Sequence, residues 1–142
     1  MTLEFVDTNV LLYAYDTTAG ERHDRAYEVV SRLGRERRGA LSVQVLQEFY
    51  VNAVHKIAVP LSPETARDRV GVLSRWSTHS PLPYDVIAAA ELAETHRLSF
   101  WDAMILRSAN ELGCNVLWSE DLNHGQRIGT VVIANPFAAS PG

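Results

Sequence analysis

The strongest constraint on this chain is a change of hydrophobic period that repeats along it. Short, mostly apolar runs lie at 3–6, 40–42, 115–119 and 130–133, and all but the last two are separated by stretches whose apolar residues recur every three to four positions. The runs suit buried strands, and the intervening stretches suit amphipathic helices. Strands joined through helices run parallel, and a parallel sheet needs helices on both faces. The expected fold class is therefore α/β, a layered α/β/α sandwich. At 142 residues the chain is expected to form a single domain, 1–142, with a frayed tail at 138–142.

Turn and cap residues place the elements. The first strand, 3–6, runs into Asp7, and a helix follows to about Tyr15. A second helix is expected over 21–38, with Ala26, Val29, Val30 and Leu33 on one face and Gly39 as its stop. Its basic end, Arg32, Arg35, Arg37 and Arg38, reads as a solvated helix terminus or as a phosphate-contacting patch. Ser42 is positioned to cap a helix over 43–56, and Ser62 to cap one over 64–76 with Pro63 at its first position. A short edge strand is expected within 79–83 and a helix over 85–96. A further helix opens at Ser99 and stops at Gly113, and 120–129 reads as a loop.

Composition excludes some classes and leaves others open. No run of 18 apolar residues is present, and the first residues lack the basic start and cleavage site of a secretory signal. The single cysteine, Cys114, can make no internal disulfide and reads as a small buried hydrophobe. These features fit a cytoplasmic protein with no membrane partner. The five histidines lack zinc-ligand spacing.

Four acids stand out by context: Asp7, Glu48, Asp102 and Asp121. Asp7 and Asp121 follow strands, at the sheet end where open α/β folds gather ligands. Glu48 lies at the edge of a helical apolar stripe, and Asp102 lies in the first turn of a helix. Each has an ordinary alternative. Asp7 would serve as an N-cap, Glu48 as an exposed helical acid, Asp102 as half of a capping box with Ser99, and Asp121 as a loop acid. Together they would suit Mg²⁺, a hard cation that prefers carboxylates and can promote phosphodiester hydrolysis. Removing these four from the net charge of −4 leaves acids and bases balanced at 13 each, so acidity does not argue against a nucleic-acid substrate.

Four segments carry a family resemblance: Val6-Asp7-Thr8-Asn9-Val10-Leu11, Leu41 to Glu48, Leu98-Ser99-Phe100-Trp101-Asp102 through Ile105, and Leu117-Trp118-Ser119-Glu120-Asp121-Leu122. In this order and spacing the chain resembles the PIN-domain ribonucleases, and among them the VapC toxins of toxin–antitoxin pairs. The resemblance implies a five-stranded parallel sheet and an acidic metal site of Asp7, Glu48, Asp102 and Asp121. It implies Asn9 and Ser119 as polar residues holding that site in position, with Glu120 competing with Asp121 for the fourth acid. It further implies Mg²⁺ or Mn²⁺ dependence, endoribonuclease activity on RNA, a homodimer, and an antitoxin protein partner. The helices at 21–38, 43–56 and 64–76 are the expected places for partner contacts. Arg22, Arg25 and Arg107 are candidate contacts to RNA or to an antitoxin carboxylate, and Trp101 is a candidate groove residue. The alternatives are an RNA-processing PIN nuclease without an antitoxin and a catalytically silent PIN-like interaction module. A phosphoacceptor protein fits less well, because the chain lacks an Asp-x-Asp at strand one and its only lysine, Lys56, is mid-chain.

Overall fold

A computed structural model describes residues 2–138. The expected fraying beyond Ala138 lies outside the described residues. Six helices alternate with six strands: β1 Glu4–Val6, α1 Thr8–Tyr15, α2 Glu21–Glu36, β2 Gly39–Ser42, α3 Val43–His55, α4 Pro63–Leu73, β3 Ser77–His79, α5 Pro83–His96, α6 Phe100–Glu111, β4 Val116–Trp118, β5 Arg127–Ile128 and β6 Val131–Ala134. The sheet order is β3-β2-β1-β4-β6-β5. Five strands run parallel, as the resemblance implied.

The sixth strand corrects the reading of 120–129 as loop. β5 pairs antiparallel with β6, with Arg127 opposite Val132 and Ile128 opposite Val131. A two-residue strand is too short to show a period. Its turn depends on a tertiary contact: Gly129 has φ +62°, and Asn110 of α6 occupies the space a Cβ would need. Asn110 Oδ1 accepts the Thr130 N–H at 2.8 Å.

Chain direction across the sheet sets the layers. From β1 through β2 to β3 the chain steps one way, and from β3 it returns past β1 to β4. Right-handed crossovers then put α1–α4 on one face and α5–α6 on the other. The core between these layers contains fully buried Phe5, Val6, Leu41, Leu117 and Ile133 from the sheet, with Leu11, Leu33, Phe49 and Leu106 from the helices. The reversal of direction falls between β1 and β4, so the crevice beyond their C-terminal ends is the ligand position of an open α/β sheet.

Several local expectations hold. Ser42, Ser62 and Ser99 each cap a helix through their side chains, and Pro63 opens α4. Two others change. Helix α2 ends at Glu36 with Arg37 in the left-handed conformation, φ 55°, so Gly39 is not its stop. Gly39 begins β2 under the Trp76 indole, whose nearest atom would lie 2.3 Å from an added Cβ. The helix before Trp76 ends at Leu73, which frees that ring to turn inward over Gly39. The edge strand forms before the prolines rather than across them, and Pro83 becomes the first residue of α5.

Half of the basic end of α2, Arg32 and Arg38, is used inside the fold. Glu4 is 5% exposed and meets Arg32 at 2.9 Å and Arg38 at 3.1 Å. Trp118 Nε1 also donates to it at 2.9 Å. Burial opposes the Glu4 charge, but these hydrogen bonds and the two guanidinium charges hold its carboxyl below the usual range. Arg32 and Arg38 are thus committed to an acid at the start of β1, three residues from Asp7, which takes two of the four arginines out of the phosphate-patch reading, while Arg35 and Arg37 stay exposed.

Gly39→Ala should destabilise the fold by about 1–3 kcal/mol, the usual effect of overpacking a filled site. Urea unfolding would check this, with Gly71→Ala as control, since nothing lies within 4 Å of a Cβ added there.

Candidate metal centre

Asp7 is built where β1 stops. Its N–H donates to the Trp118 carbonyl at 3.0 Å, so it still belongs to the sheet. Its side chain caps α1, with Oδ1 accepting the Thr8 N–H at 2.7 Å. The capping and functional readings therefore coincide in one carboxylate. The other oxygen, Oδ2, accepts from Ser119 Oγ at 2.9 Å. Ser119 is fully buried just beyond β4, and its Oγ also accepts the Asp121 N–H at 3.2 Å. Asn9 Nδ2 donates to Asp121 Oδ2 at 3.0 Å. Asn9 and Ser119 thus connect acids 114 residues apart in the chain.

Glu48 enters from α3. Thr8 Oγ1 donates to its Oε2 at 2.6 Å, and Gln44 Nε2 donates to its Oε1 at 3.0 Å. The same Gln44 amide reaches the Trp101 carbonyl at 3.3 Å, joining the first turns of α3 and α6. Asp102 lies in that turn of α6, its N–H bonded to Ser99 Oγ at 3.1 Å. Sequence reading missed Thr8 and Gln44. A faint signal existed for Gln44, four residues before Glu48 and hence on the same helical face.

Electrostatics tie the four acids together. Asp7 is buried, and that burial raises its pKa. Its bonds from Ser119 and Thr8 counteract this, while the charges of Asp121 and Asp102 add to it, and the result is about 7. Asp102 is also raised, by burial first and then by Asp121 and Glu48, against the Ser99 hydrogen bond. The structure therefore brings all four sequence-selected acids into one repelling group. It also separates the two neighbouring acids, because Glu120 turns away to pair with Arg22 while Asp121 faces the group. The donors are carboxylate oxygens, the set that suits Mg²⁺ or Mn²⁺, and a dication among them would relieve the repulsion.

Among the described residues, a tighter convergence of potential ligand atoms lies elsewhere. His79, Asp85 and Glu111 each offer an atom within 4.8 Å of the others, and no three of the four acids converge that closely. That cluster already contains a cation. Arg107 Nε donates to Asp85 Oδ1 at 2.8 Å, and Arg107 reaches Glu111 at 2.7 Å. Burial of Asp85 is outweighed by the Leu82 N–H and by Arg107, so its pKa falls. Arg107, a candidate partner contact in the sequence, thus has a structural role. Arg25 likewise bonds Glu21 and the carbonyls of Pro136 and Ala138. Cys114 is buried, which pushes its thiol up to about 12, as expected of an inert core residue.

The Asp7 shift predicts a signed pH dependence. An unfolded Asp ionises near 3.8, whereas folded Asp7 ionises near 7. Between these values the folded chain holds a proton that the unfolded chain releases. The contribution to stability is complete below the lower value and is lost as pH rises through the upper one. In metal-free buffer, Asp7→Asn should gain stability over wild type as pH rises from 4 to 8, on the order of 2–4 kcal/mol at full effect. Mg²⁺ at pH 8 should raise the melting temperature of wild type more than that of Asp7→Asn. Thermal unfolding across pH, with and without Mg²⁺, would test both statements.

Comparison with known proteins fits this geometry. The PIN domain family model matches residues 5–127. No curated protein matches the chain in sequence. Among solved structures, the chain is similar to a toxin–antitoxin complex from Klebsiella pneumoniae, with TM-score 0.68, 20% identity, and 96% of this chain and 99% of that one covered. It is similar to DNA-bound VapBC from Salmonella typhimurium, with TM-score 0.65, 22% identity and coverage of 96% and 99%. It is also similar to VapC20 of Mycobacterium tuberculosis, described as a sarcin-ricin-loop-cleaving toxin, with TM-score 0.61, 17% identity and coverage of 82% and 88%. At these identities the neighbours establish the fold, while the family model spans most of the sequence: the chain belongs to the PIN-domain family.

Proposed function

We propose that this PIN-domain protein is a divalent-metal-dependent endoribonuclease acting as the toxin of a toxin–antitoxin pair. The observation that carries the nuclease reading is the meeting of Asp7, Glu48, Asp102 and Asp121, drawn from four distant segments, at the strand-end crevice. The toxin reading rests on likeness to a toxin–antitoxin complex and a VapBC structure that this chain matches over nearly its whole length, and to a VapC toxin over 82% of it. A protein antitoxin, a homodimer and a cytoplasmic setting belong to the same reading.

Asp7, Asp102 and Asp121 would hold Mg²⁺, with Mn²⁺ able to replace it. The bound ion supplies phosphate-charge neutralisation and lowers the pKa of water. Glu48 has both oxygens oriented, by Thr8 and Gln44, and would position the attacking water or assist in its deprotonation. Ser119 and Asn9 keep Asp7 and Asp121 from swinging apart. In-line attack forms a bond from the water oxygen to phosphorus and breaks the bond from phosphorus to O3′. O3′ takes up a proton, leaving a 3′-hydroxyl and a 5′-phosphate.

Asp7→Asn should lower RNA cleavage at least about a hundredfold while the circular dichroism spectrum stays native, an electrostatic loss of the usual scale. Chelation should abolish wild-type cleavage, and Mg²⁺ should restore it. Mapped RNA ends should carry 5′-phosphates, and expression of wild type but not Asp7→Asn should arrest growth. Purified Asp7→Asn cutting RNA at the wild-type rate would remove the assignment.

A further inference from the structure

The acid cluster lies in the middle of a polar line along α3. Gln44, Glu48 and Asn52 are successive i,i+4 neighbours on α3, and Lys56 follows at its C-cap, turned roughly 120° about the axis from Gln44. At one end, the Gln44 amide spans from the Glu48 carboxylate to the Trp101 backbone. Trp101 is 63% exposed, the joint second most exposed of the exposed large hydrophobic residues after Val59. Among the described residues its ring neighbour is Phe100, in an edge-to-face pair at 5.1 Å and 84°, which leaves most of the indole exposed. Leaving an indole this exposed forgoes much of the burial that usually holds Trp in a core.

At the other end lies a cavity of about 370 Å³ lined by Asn9, Tyr13, Asn52 and Lys56 among others. Asn9 connects this cavity directly to the acids through its bond to Asp121. Lys56, the only lysine in the chain, is exposed and caps the end of α3. It makes no ion pair among the described residues, a state it shares with seven of the twelve arginines; what sets it apart is its place beside Asn9 and Asn52 in this cavity. It lies eight residues beyond Glu48, roughly 12 Å along the helix.

We infer that Trp101 and Lys56 hold a single-stranded nucleic acid across the acid cluster, Trp101 by stacking a base and Lys56 by contacting a phosphate. This rests on the nuclease reading and adds the path of the strand along α3. A base offers a π-face whatever its sequence, so Trp101 supplies affinity without strong sequence choice. Lys56 supplies a point charge that suits a phosphate oxygen, in a region where the acids alone would repel the backbone. Stacking also requires the target to be unpaired, which favours loops and single strands over duplexes.

The test uses a fluorescein-labelled 12-nucleotide single-stranded RNA, read by anisotropy in Mg²⁺, with Asp7→Asn in every arm so that the strand is not consumed. Adding Trp101→Ala should weaken binding roughly five- to hundredfold with an unchanged salt slope. Trp101→Phe should restore most of the affinity. Adding Lys56→Ala should weaken binding and reduce the salt slope by about one. RNA should also quench tryptophan emission in the Asp7→Asn protein and much less in the Trp101→Phe version. Unchanged affinity and quenching in both truncations would overturn the proposal, as would a Trp101→Ala effect seen only as a change of oligomeric state in size-exclusion chromatography. A parallel cleavage assay with Asp7 intact separates the two levels. RNA cut by wild type, Trp101→Ala and Lys56→Ala with the same KM removes the strand path and leaves the nuclease. RNA neither bound nor cut by wild type removes both.

Discussion

The buried carboxylate of Asp7 is the constraint around which the molecule is arranged. A carboxylate inside a sheet end is unstable unless something answers its charge. Here two neutral donors answer it in part, the Thr8 N–H and the Ser119 hydroxyl, while Asp102 and Asp121 act against it. The chain could have placed an arginine there, as it does elsewhere. It places serine, threonine, asparagine and glutamine instead, which fix the directions of the acids without cancelling their charge.

Two other acids show the contrast. Glu4 and Asp85 are as buried as Asp7, yet each meets arginine, and each has a lowered pKa. Asp7 and Asp102 meet other acids, and each is raised. Burial acts in the same direction on all four, so the sign of the shift is decided by the neighbours. The arginine-paired acids tie α2 to β1 and α5 to α6. The repelling acids form a site in which a dication would serve as the missing countercharge.

The layers place this charge where a ligand can reach it. The direction in which the chain steps across the sheet reverses between the parallel strands β1 and β4, and the crevice beyond their C-terminal ends is the ligand position of such a fold. Short loops deliver Asp7 and Asp121 from the strands, while Glu48 and Asp102 come from helices on opposite faces of the sheet. The four acids therefore enter from both layers, and the crevice between those layers forms the site.

Local chemistry was readable along the chain. Ser42, Ser62 and Ser99 announce helix starts because a cap needs only a side-chain oxygen and the next few backbone N–H groups. Four of the five parallel strands are announced by apolar runs, and the α/β class follows from their alternation with helical periods; β3, Ser77-Thr78-His79, carries no apolar residue, and only the family resemblance implied a count of five. The same logic fails at Gly39, where a glycine after a basic helix end looks like a stop. Its reason is a ring 37 residues away, and Arg37 takes the left-handed position itself. It fails again at β5, whose two residues carry no pattern and whose turn depends on Asn110.

For the acids, the sequence alone determined the candidates and their order, since strand ends and helix starts are local properties. Only tertiary structure decided that Asp121 rather than Glu120 faces Asp7, that Thr8 and Gln44 orient Glu48, and that Arg107 neutralises Asp85. Each of these outcomes turns on distance through space, which governs charge and hydrogen-bond energies and bears no fixed relation to separation along the chain.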